Sequence, residues 1–195
     1  MRRARLIVLV WENVVSSEPV SIENALRVAL IEPEIPPNTG NISRLCAGLD
    51  VPLDLVGRLG FDISERSIRR AGLDYWEHVR LTHHKSWEAF KQALGKTAEA
   101  GPRFIYTSAF ADVLYTDVEY QPGDVLIFGK ESKGLDPVLW QETPGLVVRI
   151  PHWGPVRSLN LSNAAAVVAY EAMRQLRERE MIPPPIPRAE DKPRG

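Results

Sequence analysis

The chain has 195 residues, enough for one domain with a full core and short tails. Hydrophobic residues make up 44% and charged residues 25%, an ordinary globular balance, and a formal net charge of -1 excludes a chain-wide basic field, so any basic surface has to be local. The single cysteine, Cys46, excludes an intramolecular disulfide and a Cys-rich zinc site; among Leu45, Ala47 and Leu49 it reads as a small core residue, and it fits a reducing cytoplasm.

Residues 1–25 read as an N-terminal extension, an extra strand or an irregular segment. "MRRARLIVLVW" begins as a signal peptide does, but its apolar run from Leu6 to Trp11 is six residues long, far too short to span a bilayer. Apolar runs punctuated by turn residues then recur: "RVALIE" at 27–32, "LDLVG" at 53–57, "RFIYTS" at 103–108, "DVLIFG" at 124–129 and "LVVRI" at 146–150. Helix-compatible segments lie between or beyond them, at 40–49, 64–71, 86–99 and about 160–179. The alternation predicts a single α/β domain over 26–180, with a mostly parallel sheet flanked by helices. In the last helix Leu161, Ala164, Ala165, Val168, Ala169, Ala172, Met173 and Leu176 form one apolar stripe. Core packing accounts for that stripe, and a seam between two copies of the chain is the alternative. Residues 181–195 are proline-rich and charged, which predicts a mobile tail.

Ligands of parallel sheets sit beyond the carboxyl ends of the strands. Three polar loops fall there. The first, "IPPNTGNISR", holds Asn38, Gly40, Asn41 and Arg44, with Asn41 and Arg44 three apart and so on one helical face. Its plain alternative is a capped strand-to-helix connection, with Asn38 or Thr39 as the cap. The second, "FGKESKGL", places Glu131 between Gly129 and Gly134, which permit tight turns or close backbone approach to a ligand. The third, "IPHWGPVRSLNLSNA", carries Arg157, Ser158, Asn160, Ser162 and Asn163 into the last helix, more hydroxyls and amides than capping requires. Several familiar chemistries are excluded. Gly134 is followed by Leu135 and not by the Lys-Ser/Thr of a phosphate loop, and no G-x-G-x-x-G, G-x-S-x-G or H-E-x-x-H is present. His83 and His84 are adjacent, point apart on any regular element, and are expected in a surface loop.

Taken together, "EPEIPPNTGNISRLCA", "RRAGLDY", "LIFGKESKGL" and "RSLNLSNAAAVVAYEAMRQL" resemble the motifs of the SPOUT superfamily of RNA methyltransferases. Within it they look most like the small tRNA (cytidine(34)/uridine(34)-2'-O)-methyltransferases, in order from Val28 to Leu176. The resemblance implies a deep trefoil knot near the C-terminal end of the domain, a homodimer, a cytoplasmic location, and S-adenosylmethionine as methyl donor without a metal. By position it implies donor contacts at Thr107, Gly129, Ile150 and Ser158. It implies Arg44, Glu131, Ser158 and Asn160 as catalytic residues, and RNA contacts at Asn41, Arg44 and Arg157. Lys130 departs from the family pattern, since many relatives have proline there, which fixes φ.

The implied substrate is the anticodon stem-loop of tRNA, methylated on the ribose of position 34. Another RNA site, ribosomal or in tRNA, and a non-catalytic RNA-binding role are the alternatives. Arg44 suits bidentate anion contacts and keeps its proton, so a positioning role for it outranks a role as base. Glu131 is expected to orient Arg44 or a loop amide. Arg66, Arg69 and Arg70 recur at helical spacing and offer a local basic face for RNA. Tyr75 and Trp76 can stack on exposed bases or belong to the core.

Overall fold

The structure is a computed structural model that describes residues 19–62, 75–95 and 101–186. Among these residues seven strands form one sheet: β1 (Leu26–Ile31), β2 (Leu53–Val56), β3 (Leu81–His84), β4 (Phe104–Thr107), β5 (Val113–Leu114), β6 (Asp124–Phe128) and β7 (Leu146–Arg149). Their spatial order is β3-β2-β1-β6-β4-β7-β5, and every pairing between them is parallel. Among the described residues four helices flank it: α1 (Pro36–Leu49), α2 (Trp87–Gly95), α3 (Val138–Glu142) and α4 (Leu161–Glu178). The α/β architecture with a parallel sheet is thus as the alternation of runs predicts.

Side chains alternate across each strand, so one run of sequence feeds two cores. Val28 and Leu30 of β1, with Leu126 and Phe128 of β6, face Ile42, Cys46 and Leu49 of α1 and the stripe of α4. Ala29, Val125 and Ile127 face the other way, toward Trp87, Phe90 and Leu94 of α2 and Leu139 and Trp140 of α3. Strand β6 is buried at all five positions, which is why "DVLIF" shows no polar alternation. Ala165, Val168, Ala169, Ala172 and Leu176 are fully buried within the chain's own core. Those five residues serve intramolecular packing, while Leu161, Ala164 and Met173 of the same stripe are only partly buried. Burial among these side chains pushes the Cys46 thiol up to about 12, as befits an inert core residue.

Several elements differ from the sequence expectation. Helix α1 begins at Pro36 and not at residue 40, because proline is preorganised for the first helical turn, where its missing N–H is not needed. Neither Asn38 nor Thr39 caps it; the N-cap position is Ile35 and makes no side-chain bond. His83 and His84 lie in β3 and not in a loop. The His84 ring is nearly buried, 2.7 Å from the Asp54 carboxylate, which also accepts from Arg27. Helix α3 and the two-residue β5 were not foreseen, both being too short to leave a periodic pattern. Within the stretch read as a tail, Ile182 is buried against the core and Val20 N–H donates to the Met181 carbonyl. The predicted helix at 64–71, with Arg66, Arg69 and Arg70, lies outside the described residues, as do the run from Leu6 to Trp11 and residues 96–99.

One connection is unusual. Strands β4 and β5 are consecutive, yet β7 lies between them: Thr107 and Val113 both pair with Val148. The five residues 108–112 must then cross a face of β7, and β7 itself runs on into the loop before α4.

Candidate active site

The loops after β1, β6 and β7 all leave the carboxyl end of the sheet, and side chains tie them to one another. The loop after β6 closes tightly on itself. A Cβ on Gly129 would stand 2.1 Å from the Gly134 carbonyl carbon and 2.3 Å from the Leu135 nitrogen, so only glycine fits there. Gly134 is required for a different reason, a φ of +71°, and its N–H donates to the Lys130 carbonyl at 2.8 Å.

This loop and the one after β1 exchange charge in both directions. Lys130 Nζ reaches Glu32 Oε2 at 2.7 Å. Ser132 donates both its N–H and its hydroxyl to the Glu34 carboxylate, each at 2.9 Å, and these bonds hold that carboxyl below its ordinary range. Glu131 answers from the other side: its carboxylate accepts from Glu34 N–H at 2.8 Å, Ile35 N–H at 3.3 Å and Asn38 Nδ2 at 2.9 Å. A carboxylate there also sits at the amino end of α1, where it meets the positive end of the helix dipole.

Asn38 connects the third loop. Its Oδ1 accepts from Asn160 Nδ2 at 3.0 Å, and Asn160 Oδ1 accepts from Ser162 N–H at 2.9 Å and Oγ at 2.7 Å. Asn160 is thus both the N-cap of α4 and the tie to α1. The buried Asn38 amide is held at both ends, which fixes its orientation.

Farther along α1, Asn41 and Arg44 are exposed on the side the spacing predicts. The Arg44 guanidinium carbon lies 5.1 Å from the centroid of the Tyr75 ring, and Tyr75 Oη donates to the Gly40 carbonyl at 2.9 Å. Tyr75 is neither a free stacking platform nor fully buried, since it supports Arg44; Trp76 is partly buried beside it. Glu131 accepts its hydrogen bonds from loop amides and Asn38, and so orients the loop and not Arg44.

Thr107, Gly129 and Ile150 end or directly follow β4, β6 and β7, where β6-β4-β7 are neighbours in the sheet. The Thr107 hydroxyl is buried without a hydrogen-bond partner among the described residues, as is that of Thr39. A buried donor left open at a strand end is what a bound polar molecule would satisfy. Ser158 and Arg157 are exposed in the stretch 152–160. Among the described residues no His, Cys, Asp and Glu side chains are grouped so as to hold a metal ion, and no helix is long and apolar enough to cross a membrane.

Sequence reasoning missed the tie that Asn38 makes and the pairing of Glu32 and Glu34 with Lys130 and Ser132. The signal was present as two acidic residues around Pro33 and a basic stretch, "GKESK", at the next strand end.

A parallel α/β sheet with a glycine-closed loop and an Arg- and Asn-bearing helix at its carboxyl end defines the class, and residues 25–170 match the model of the SpoU rRNA Methylase family. The chain belongs to that family. It is 45% identical over 149 residues to a tRNA (cytidine(34)-2'-O)-methyltransferase of Methylovorus glucosotrophus, covering 76% of this chain and 94% of the relative. The same activity names a relative from Photorhabdus asymbiotica, 44% identical over 152 residues, covering 77% and 94%. A solved structure concerned with the 2-OH methylation of C/U34 on tRNA superposes with a TM-score of 0.71 at 44% identity, covering 79% of this chain and 97% of that one. A SpoU methyltransferase from Streptomyces viridochromogenes in complex with the cofactor AdoMet superposes with a TM-score of 0.70 at 25% identity, covering 80% and 62%.

Proposed function

We propose that this protein transfers the methyl group of S-adenosylmethionine to the ribose 2'-hydroxyl of nucleotide 34 in the anticodon stem-loop of tRNA. The observation that carries the reading is the convergence of three loops through Asn38: Glu131 on one side, Asn160 on the other, and Arg44 on the helix that Asn38 helps to anchor. The relatives named above supply the substrate.

The donor side is assigned to Thr107, Gly129, Ile150 and Ser158. The open hydroxyl of Thr107 and the close-packed backbone at Gly129 fit a polar molecule held by main chain and a hydroxyl. When bound, S-adenosylmethionine supplies a methyl group already activated by the positive sulfur, so no metal is required. The protein's own task is alignment. Arg44 grips the ribose or its phosphate and favours the negative charge that grows on the oxygen as the proton leaves to water. Its side chain is assigned to the nucleophile and not to the donor, because a cation is repelled by a sulfonium. Glu131 fixes the loop amides, and Asn160 and Ser158 set the third loop against the donor. Asn41 and Arg157 extend the RNA contact, and Arg66, Arg69 and Arg70 are assigned to it on their sequence alone.

Residues 26–180 are taken as one domain with a trefoil knot. The crossing of 108–112 over β7 supports that reading, because short connections ordinarily avoid such crossings. A homodimer in the cytoplasm completes the proposal. Its contact would use the outward side of α4 and the loop before it, where Tyr170 is 59% and Trp153 92% exposed.

Labelled S-adenosylmethionine with unmodified tRNA, followed by mapping of the methylated nucleotide, tests the reaction. Label on the ribose of position 34 is expected, and label elsewhere or nowhere refutes it. Arg44→Ala should retain donor affinity yet lose roughly a hundredfold in single-turnover rate.

A further inference from the structure

We propose that Tyr75 is a positioning residue for Arg44, holding the guanidinium by its ring and the helix backbone by its hydroxyl. The inference rests on the role given to Arg44 above. The guanidinium carbon is 5.1 Å from the ring centroid, within the range at which the negative face of an aromatic ring attracts a cation. The Tyr75 hydroxyl donates to the Gly40 carbonyl at 2.9 Å. In an α-helix that carbonyl is also the acceptor for the amide four residues on, which is that of Arg44. One phenol thus touches the arginine at both ends, its side-chain head and the carbonyl that receives its main chain.

The chemistry of the contact suits an anion-gripping arginine. An exposed arginine has many rotamers, and ordering it at the moment of reaction is unfavourable. A carboxylate partner would order it but would occupy two N–H groups and cancel its charge. An aromatic face orders it through the plane of the guanidinium and leaves all five N–H donors at the edge, with the charge intact. Among the described residues Arg44 has no carboxylate partner, and its guanidinium lies over the Tyr75 ring. Arg44 is therefore held ready without being neutralised by any described carboxylate.

The test is single-turnover methyl transfer at saturating tRNA and donor, with wild type, Tyr75→Leu and Tyr75→Phe, each also in an Arg44→Ala background. Tyr75→Leu should lose about tenfold in rate with S-adenosylhomocysteine affinity unchanged, while Tyr75→Phe, which keeps the ring, should stay within about threefold of wild type. In the Arg44→Ala background Tyr75→Leu should cost nothing more. A series of increasingly fluorinated phenylalanines at position 75 weakens the negative ring face at nearly constant shape, so the rate should fall step by step along it. That series decides the matter even if Tyr75→Leu folds poorly. A flat rate along it, or fully additive losses in the double variant, overturns the role of Tyr75 and leaves the reading of the site standing. A wild-type protein that transfers no methyl to tRNA overturns both.

Discussion

Asp124 and Glu34 lie at opposite ends of the neighbouring strands β6 and β1, and their carboxyl groups are displaced in opposite directions. Asp124 opens β6 in a buried position, where it accepts from Arg103 Nε and Nη2 at 2.6 Å each and from Gln121 N–H at 2.8 Å. Burial raises its pKa and the Arg103 pair pulls it back in part. Glu34 lies in the open loop beyond β1, and the two bonds from Ser132 lower its pKa. At the amino end, then, a carboxylate closes the core. At the carboxyl end carboxylates align loops with one another, and the two partnerless buried hydroxyls, Thr39 and Thr107, lie at that end as well. Among the described residues the open hydroxyls lie at the carboxyl end, while at the amino end only Arg80 Nε is left open, on a side chain already paired with Glu23 and Asp50, so damage at the two ends should show in different measurements.

The largest effect is expected at the carboxyl end, from Gly129→Ala. The added Cβ would stand 2.1 Å from backbone, and backbone cannot turn aside as a side-chain tip can. Opening the loop should cost about 3 kcal/mol, which calorimetry would read as a fall of about a hundredfold or more in S-adenosylhomocysteine affinity. Undiminished binding would remove this loop from the donor site. Asp124→Ala should do the reverse. Leaving Arg103 without its partner should cost about 2–3 kcal/mol of stability, below the usual range for a broken buried pair because Arg103 is partly exposed. Denaturant titration checks that figure, and donor affinity in the folded fraction should match wild type. A loss of donor affinity alone would erase the contrast between the two ends.

The sequence made the strand core legible and left the loop end partly hidden. "RVALIE" and "DVLIFG" betray buried parallel strands because both faces must be apolar, and the α4 stripe betrays its packing side. The polar residues of all three loops could be picked out, since so many amides and hydroxyls exceed what capping needs. Their partners could not. The bonds from Asn38 to Glu131 and Asn160 span 93 and 122 residues, and no local spacing encodes such distances. Prolines misled in one place: the segment read as helical from residue 40 begins at Pro36, because proline suits the first turn of a helix. His84 misled in another, because its buried Asp54 partner lies a strand away, 30 residues earlier.

The smallest effect belongs to Glu34→Gln, and it sharpens the contrast through pH. The folded-state pKa of Glu34 lies below its ordinary 4.5. Its contribution is therefore fully present above that ordinary value and is lost as pH falls through the lowered one. Glutamine can still accept a bond from Ser132 but carries no charge and does not titrate in this range. The melting temperature of wild type should thus exceed that of Glu34→Gln slightly at pH 7, and the gap should close on acidification below about pH 4.5. Donor affinity at pH 7 should fall by only about twofold, because Glu131 and Lys130 still bind the same two loops together. Asp124 has the opposite sign: its raised pKa makes its contribution greatest below the ordinary carboxylate value and smaller as pH rises through the raised one. Against Asp124→Asn, wild type should therefore gain on acidification while it loses against Glu34→Gln. Thermal melts of the three proteins from pH 7 to pH 4 measure both gaps in one experiment. Gaps that moved in the same direction would mean that one electrostatic environment spans the sheet, and the division of labour between its two ends would fall.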